Sequence, residues 1–268
     1  MLTQAASQVL ALTDFTPLSA FQCTLLVAAG FCGGCIDAIA GGGGLITVPA
    51  LLAVGLPPQL ALGTNKLQSA CGTSIALWHY AKAGLVATPW LWLAVMTSFV
   101  ASMGGAYAVS VLDREILRQV IPWLLAAVAI YTACNRRMGI QRGKAKLPLA
   151  VFALLFGIGL GFYDGFFGPG TGSFWILALV VLAGLELRGA TGYTKAANLA
   201  SNLGSLAVFL TMGSVHFVAA GAMIAGQLLG ARLGSGLVIR KGAHLIRPVF
   251  LCVVFAMTLK LLWDAWWH

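Results

Sequence analysis

The sequence predicts an all-α polytopic membrane protein built from two inverted repeats. Three observations predict it. First, 60% of the 268 residues are hydrophobic and 9% are charged, with a mean hydropathy of +0.93; soluble chains carry roughly a quarter charged residues. Second, apolar runs recur along the whole length without the alternating pattern of a membrane β-barrel. Third, two broken segments about 127–129 residues apart carry the same features in the same order. One places Asp37 before Gly41-Gly42-Gly43-Gly44 and leads to Thr64-Asn65-Lys66. The other places Asp164 before Gly168-Pro169-Gly170-Thr171-Gly172-Ser173 and leads to Tyr193-Thr194-Lys195. Paired interruptions of this kind point to a binding site at mid-membrane.

Residues 1–17 form a polar lead-in without Lys or Arg, so the basic start of a secretory signal is missing. Long apolar segments follow near 18–40, 61–81, 88–110, 115–133, 148–167, 190–211, 217–237 and 245–263. Two short ones, 45–54 and 173–183, come after the glycine breaks. A helix of that length rises only about 15 Å, half of a roughly 30 Å hydrocarbon core. Each is expected to fold back on the helix before it as a glycine-broken helix/half-helix hairpin. Repeat 1 (18–134) and repeat 2 (148–265) then each hold one hairpin plus three spanning helices, joined by a basic linker at 135–147.

Charge sets the orientation. If the short segments return to the side they came from, Lys82, Arg136, Arg137, Arg142, Lys144, Lys146, Arg188, Arg240, Lys241 and Arg247 share one side, against Arg114, Arg118 and Lys260 on the other. If the long helices cross fully and the short ones merely dip, the tally is seven against six. The positive-inside rule selects the first arrangement, with the linker cytoplasmic and both termini periplasmic. Each half then makes an odd number of passes, which inverts the second. Trp90 and Trp92 open one span, Trp123 lies within another, and Trp263, Trp266 and Trp267 close the chain, so most fit interfacial positions.

The net charge of +9 lies in loops between apolar spans, which is an orientation signal and not a nucleic-acid face. Cys32 and Cys35 have metal-like spacing and no further ligands nearby; they and Cys23, Cys71, Cys134 and Cys252 read as reduced, buried thiols. His79, His216, His244 and His268 sit near span ends without metal spacing. The sequence holds no nucleophile elbow, zinc-protease motif or P-loop. We therefore expect no enzyme activity, metal or cofactor.

The candidate site consists of the breaks and the lysine helices. Glycine permits the unwound backbone and leaves amide N–H groups uncovered at the start of a short helix, where the dipole favours an anion. Gly41, Gly42, Gly43 and Gly44 do this in one half; Gly168, Gly170, Thr171, Gly172 and Ser173 repeat it, with Thr171 or Ser173 as hydroxyl donors. Close helix packing is the alternative use of such glycines. A lysine within an apolar span costs about 2.5–3.5 kcal/mol on insertion scales, so Lys66 and Lys195 are expected to face a cavity or a partner. Asn65 with Gln68 or Ser69, and Lys195 with Asn198 and Asn202, fall on single helix faces. The lysines either bind substrate or neutralise Asp37 and Asp164, which are also candidate proton carriers. Tyr163 reads as a substrate donor or a packed aromatic.

Five segments resemble the TauE/SafE family of sulfite and organosulfonate exporters, especially its YfcA-like branch. They are Ile36–Pro49, Ala61–Gln68, Gly161–Pro169, Gly226–Arg232 and Leu245–Pro248. The resemblance spans about residues 20–264. It implies a secondary transporter of the bacterial inner membrane, exporting small anions such as sulfite or sulfonates. The residues add protons as the expected coupling ion, with Asp37 and Asp164 as carriers, the bilayer as surroundings and no nucleic-acid partner. An ion channel and a non-transporting membrane scaffold are the alternatives.

Overall fold

The computed structural model describes residues 18–86, 88–134 and 145–241. The expectations for the lead-in 1–17, most of the linker and the span at 245–263 lie outside the described residues. So do those for Cys252, His244, His268 and the C-terminal tryptophans. Among the described residues there are nine helices: α1 (Ala20–Ala40), α2 (Gly44–Ala53), α3 (Pro58–Lys82), α4 (Leu91–Ser110), α5 (Arg114–Cys134), α6 (Leu149–Phe166), α7 (Thr171–Val181), α8 (Leu187–Thr211) and α9 (Phe217–Lys241).

Local chemistry fixes the ends. Ser19 and Gln22 form a reciprocal capping box at the start of α1. Gly41, at φ 72°, ends it by donating its N–H to the Asp37 carbonyl at 2.8 Å. Pro58 opens α3 at a position where no amide partner is needed. The α3 and α8 helices begin three residues earlier than the apolar runs suggest, because their first turns are polar.

Both short helices turn back along their predecessors. Gln22, near the start of α1, donates to the Val54 carbonyl at the end of α2 (3.3 Å). The amides of Lys146 and Leu147, before α6, donate to the Leu182 carbonyl after α7 (2.7 and 3.2 Å). These contacts are those of two helix/half-helix hairpins.

The molecule is greasy outside and polar at its centre. Phe21, Val100, Trp92, Phe217, Val218 and Leu229 are all more than 60% exposed, while α3 and α8 bury Thr64, Asn65, Lys66, Gln68, Thr73, Thr194, Lys195, Asn198, Ser201 and Asn202. That inversion suits a lipid solvent. Among the described residues, four helices are long and apolar enough to cross a membrane: Ala20–Ala40, Leu91–Ser110, Leu149–Phe166 and Phe217–Arg240. The chain is thus a multi-pass helical membrane protein. Trp90, Trp92 and Trp123 are 47–62% exposed.

Two glycine-lined crossings hold the outer helices on the centre. A Cβ at Gly226, Gly230 or Gly234 of α9 would strike the carbonyl oxygen of Val27, Phe31 or Cys35 on α1. A Cβ at Gly161 or Gly165 of α6 would strike the backbone of Ser98 or Ser102 on α4. Backbones this close gain dispersion contacts, which replace the hydrophobic effect inside a bilayer. A helix from each half of the chain is therefore clamped onto the hairpin of the other.

Candidate functional site

The two breaks meet face to face. A Cβ at Gly41 would run into the backbone of Gly172 and, at 2.8 Å, the Ser173 nitrogen; a Cβ at Gly44 would lie 3.0 Å from Pro169. Ser173 Oγ donates to the Ala40 carbonyl at 2.7 Å. Only glycine permits this approach, and at Gly41 and Gly168 (φ 72° and 92°) only glycine adopts the backbone without strain.

The lysines reach across the meeting point. Lys66 Nζ lies 3.0 Å from Asp164 Oδ1 and also donates to the Asp164 carbonyl. Lys195 Nζ lies 3.1 Å from Asp37 Oδ2 and donates to the Asp37 carbonyl. Each ammonium thus spends two of its three donors on the aspartate of the opposite half. The carbonyls they bind lie in the last turns of α1 and α6, where the Asp37 oxygen also accepts from the Gly41 N–H.

Neighbours orient these groups. Ser201 Oγ donates to Asp164 Oδ2 at 2.5 Å, and Thr73 Oγ1 to Asp37 Oδ2 at 3.4 Å. Asn65 Oδ1 accepts from Thr47 of α2 at 2.5 Å and from Gln68 Nε2 at 2.7 Å, tying α3 to the first half-helix. Tyr163 donates to the Pro169 carbonyl at 2.8 Å and so braces the second break.

Between the breaks lies a cavity of about 20 Å³, lined by Asp37, Gly41, Gly44, Asn65, Lys66, Ser69, Asp164, Gly168, Gly172, Asn198 and Asn202. That is little more than one water needs, so the site as it stands has no room for an oxyanion. Among the described residues, no backbone acceptor takes the amides of Gly42, Gly43, Gly44, Gly170, Gly172 or Ser173. These are the uncovered helix-start donors that the glycine runs suggest.

The structure brings most of the sequence candidates to one point, with some differences. Gln68, Gly42, Gly43, Gly170, Thr171, Ser173 and Lys195 do not line the cavity. The Thr171 hydroxyl donates to the Gly168 carbonyl at 2.6 Å and the Ser173 hydroxyl to Ala40, so both hydroxyls serve the breaks themselves. Sequence reasoning missed Thr47 and Thr73 as partners of the site, and placed Ser201 on the polar stripe beside Lys195 without its bond to Asp164. It also missed Gln227 of α9, whose amide fills the space beside Gly72.

A multi-pass helical protein whose two broken helices close around buried charges is, by class, a membrane transporter. Residues 26–261 match the family described as "Sulfite exporter TauE/SafE", and the chain belongs to that family. It is 42% identical over 245 residues to a "Probable membrane transporter protein" of Haemophilus influenzae, covering 91% of this chain and 96% of that one. It is 44% identical over 233 residues to "Probable membrane transporter protein YfcA" of Escherichia coli, covering 87% and 86%. A Sinorhizobium relative, "Probable membrane transporter protein ORF9", is 41% identical over 239 residues, covering 89% and 92%. No solved structure matches the chain.

Proposed function

We propose that this protein is a secondary transporter, and in direction an exporter, of small anions such as sulfite or organosulfonates across the bacterial inner membrane, coupled to protons. One observation carries the reading: two helix starts with uncovered amides face each other across a cavity lined by Lys66, Asp164 and Asp37, with Lys195 behind Asp37 as its partner. Such a centre suits an oxyanion, which takes helix-start amides and ammonium groups as ligands. The family description supports sulfite as a member of the substrate class.

In this reading Gly41–Gly44, Gly168, Gly170, Gly172, Thr171 and Ser173 shape the anion seat. Asn65, Gln68, Asn198 and Asn202 orient the oxygens, and Lys66 and Lys195 supply charge. Asp37 and Asp164 are the coupling groups. Repeat 1 (18–134) and repeat 2 (148–265) are inverted about the breaks and rock against each other, with the 135–147 linker cytoplasmic and the termini periplasmic. The crossed ion pairs and the paired hairpins support that arrangement, since each half supplies equivalent parts to the other.

The test is flux of sulfite, sulfoacetate and taurine into proteoliposomes, with Lys66→Ala and Lys195→Ala beside the wild type. Saturable flux that responds to a proton gradient and disappears in either variant is the expected result. Absence of flux for all three, or flux untouched by both substitutions, rejects this site as an anion path.

A further inference from the structure

We infer that Asp37, and not Asp164, is the carboxylate that takes up a proton during the cycle, and that its protonation and the binding of an anion at Lys195 reinforce each other. The inference rests on the anion-transport reading above and names its coupling group.

The two carboxylates have equivalent lysine partners but are held unequally. Asp164 uses both oxygens: Oδ1 accepts from Lys66 at 3.0 Å and Oδ2 from Ser201 at 2.5 Å, with the side chain 6% exposed. Asp37 takes both of its side-chain contacts on Oδ2, from Lys195 at 3.1 Å and Thr73 at 3.4 Å. Its Oδ1 has no donor among the described residues, and the side chain is 15% exposed where it lines the cavity.

The difference has a source in the sequence. Six residues beyond Lys195 stands Ser201, whose hydroxyl completes the shell of Asp164; six residues beyond Lys66 stands Gly72, which has none to offer Asp37. Gly72 is kept bare by Gln227, whose Nε2 and Cδ lie 2.5 and 2.8 Å from where a Cβ would stand. Gln227 is 1% exposed and its Oε1 has no partner among the described residues. The Asp37 carboxylate therefore keeps an oxygen without a donor where the Asp164 carboxylate has both oxygens taken, and a proton is a donor.

The charges around Asp37 are few. Lys195 faces it from α8, Lys66 and Asp164 share its cavity from α3 and α6, and Tyr80 of α3 donates to the adjoining Ala38 carbonyl at 3.0 Å. Helices α2 and α7 carry no titratable side chain, and on α9 the charged groups are Arg232, which is exposed, and Arg240 and Lys241 at its end.

The step balances simply. A proton adds to Asp37 Oδ1, the carboxylate becomes a neutral acid, and Lys195 stays an ammonium. Two lysines and two aspartates are neutral together; the added proton leaves one positive charge, centred on Lys195, for which an anion is the counter-ion. By reciprocity the anion raises the proton affinity of Asp37 by the same factor. Proton and anion then travel in the same direction. An inward proton-motive force opposes export, so outward movement runs on the anion's own gradient.

The experiment is calorimetric titration of the full chain in lipid nanodiscs with methanesulfonate, whose sulfonate does not titrate in the working range. Buffers of different ionisation enthalpy report the protons taken up. The expected result is uptake approaching one proton per anion, with affinity falling about tenfold per pH unit once Asp37 is ionised in the free protein. Asp37→Asn abolishes the uptake and Asp164→Asn retains it. Because Asp37→Asn strips Lys195 of its counter-charge, a second variant, Gly72→Ser with Gln227→Ala, keeps every charge and supplies the missing hydroxyl; it is expected to move the pH dependence to lower pH. Binding without proton uptake in the wild type, or uptake that survives Asp37→Asn and is lost in Asp164→Asn, overturns the assignment to Asp37 alone. No binding of methanesulfonate or sulfite by folded wild-type protein overturns the anion reading and this inference with it.

Discussion

Replacing Lys66 with methionine removes an ammonium and leaves Asp164 at the centre of the protein with Ser201 as its side-chain donor. The pair is 2% and 6% exposed, so water offers the bare carboxylate little relief. Removing one partner of a buried pair costs about 3–5 kcal/mol, and Asp164→Asn strands the ammonium at similar cost. Removing both charges together spares each the loss of its counter-ion. The double variant Lys66→Met/Asp164→Asn is therefore expected to cost about 2–3 kcal/mol less than the two single changes added together. The same cycle on Lys66 and Asp37, which belong to one half of the chain, should show a clearly smaller coupling. The assay is SDS unfolding in mixed micelles followed by tryptophan fluorescence, to which the fully buried Trp175 contributes. A coupling between Lys66 and Asp37 that equals or exceeds the one between Lys66 and Asp164 would refute the crossed pairing.

Four further outcomes follow from the packing. Gly41→Ala places a Cβ against the Gly172 backbone at φ 72°, which should cost about 2–4 kcal/mol in strain and overpacking. Gly55→Ala, at φ 93° with nothing within 4 Å, should cost about 1–2 kcal/mol, both read by the same SDS titration. Gly230→Leu should disrupt the α1–α9 crossing and lower the yield of folded protein on size-exclusion chromatography, while Gly221→Leu, with nothing within 4 Å of its Cβ position, should be tolerated. Tyr163→Phe loses the 2.8 Å bond to the Pro169 carbonyl and should lower stability by about 0.5–1.5 kcal/mol, measured by thermal unfolding.

What was legible in the sequence was whatever a bilayer makes costly. Four glycines in a row, a lysine inside an apolar run and an acid at its end each demand a reason, and the structure gathers Gly41, Gly44, Lys66, Asp37 and Asp164 around one cavity. Which lysine meets which acid was not legible, because spacing along a chain carries no record of a crossing between halves. The hydroxyls of Thr171 and Ser173 read from sequence as donors to an anion; Thr171 bonds to the Gly168 carbonyl of its own break and Ser173 to Ala40 of the opposite one, a contact between halves that spacing does not record. Gln227 was hidden by its neighbours. The four-residue spacing of Gly226, Gly230 and Gly234 reads as helix packing, which it is, and the one amide beside that stripe gives no periodic signal of its own.

The crossed pairs bear on how the closed cavity opens. A space of about 20 Å³ holds about one water, so admitting an oxyanion requires the two breaks to part. The contacts that join them are the Gly41–Gly172 approach, the Ser173–Ala40 bond and the two lysine–aspartate pairs. Both pairs run between halves of the chain, so neither half moves away without stretching them. Breaking a buried pair without compensation costs several kcal/mol, enough to keep the open form rare. In the anion–proton reading proposed above, an anion that takes the place of an aspartate at Lys195 compensates one side of that loss, and a proton on Asp37 the other. Either alone leaves a buried charge unpaired; the two together leave none. On that proposal, the energetic logic that makes the pair a good lock in the empty protein is also what would let proton and anion open it jointly.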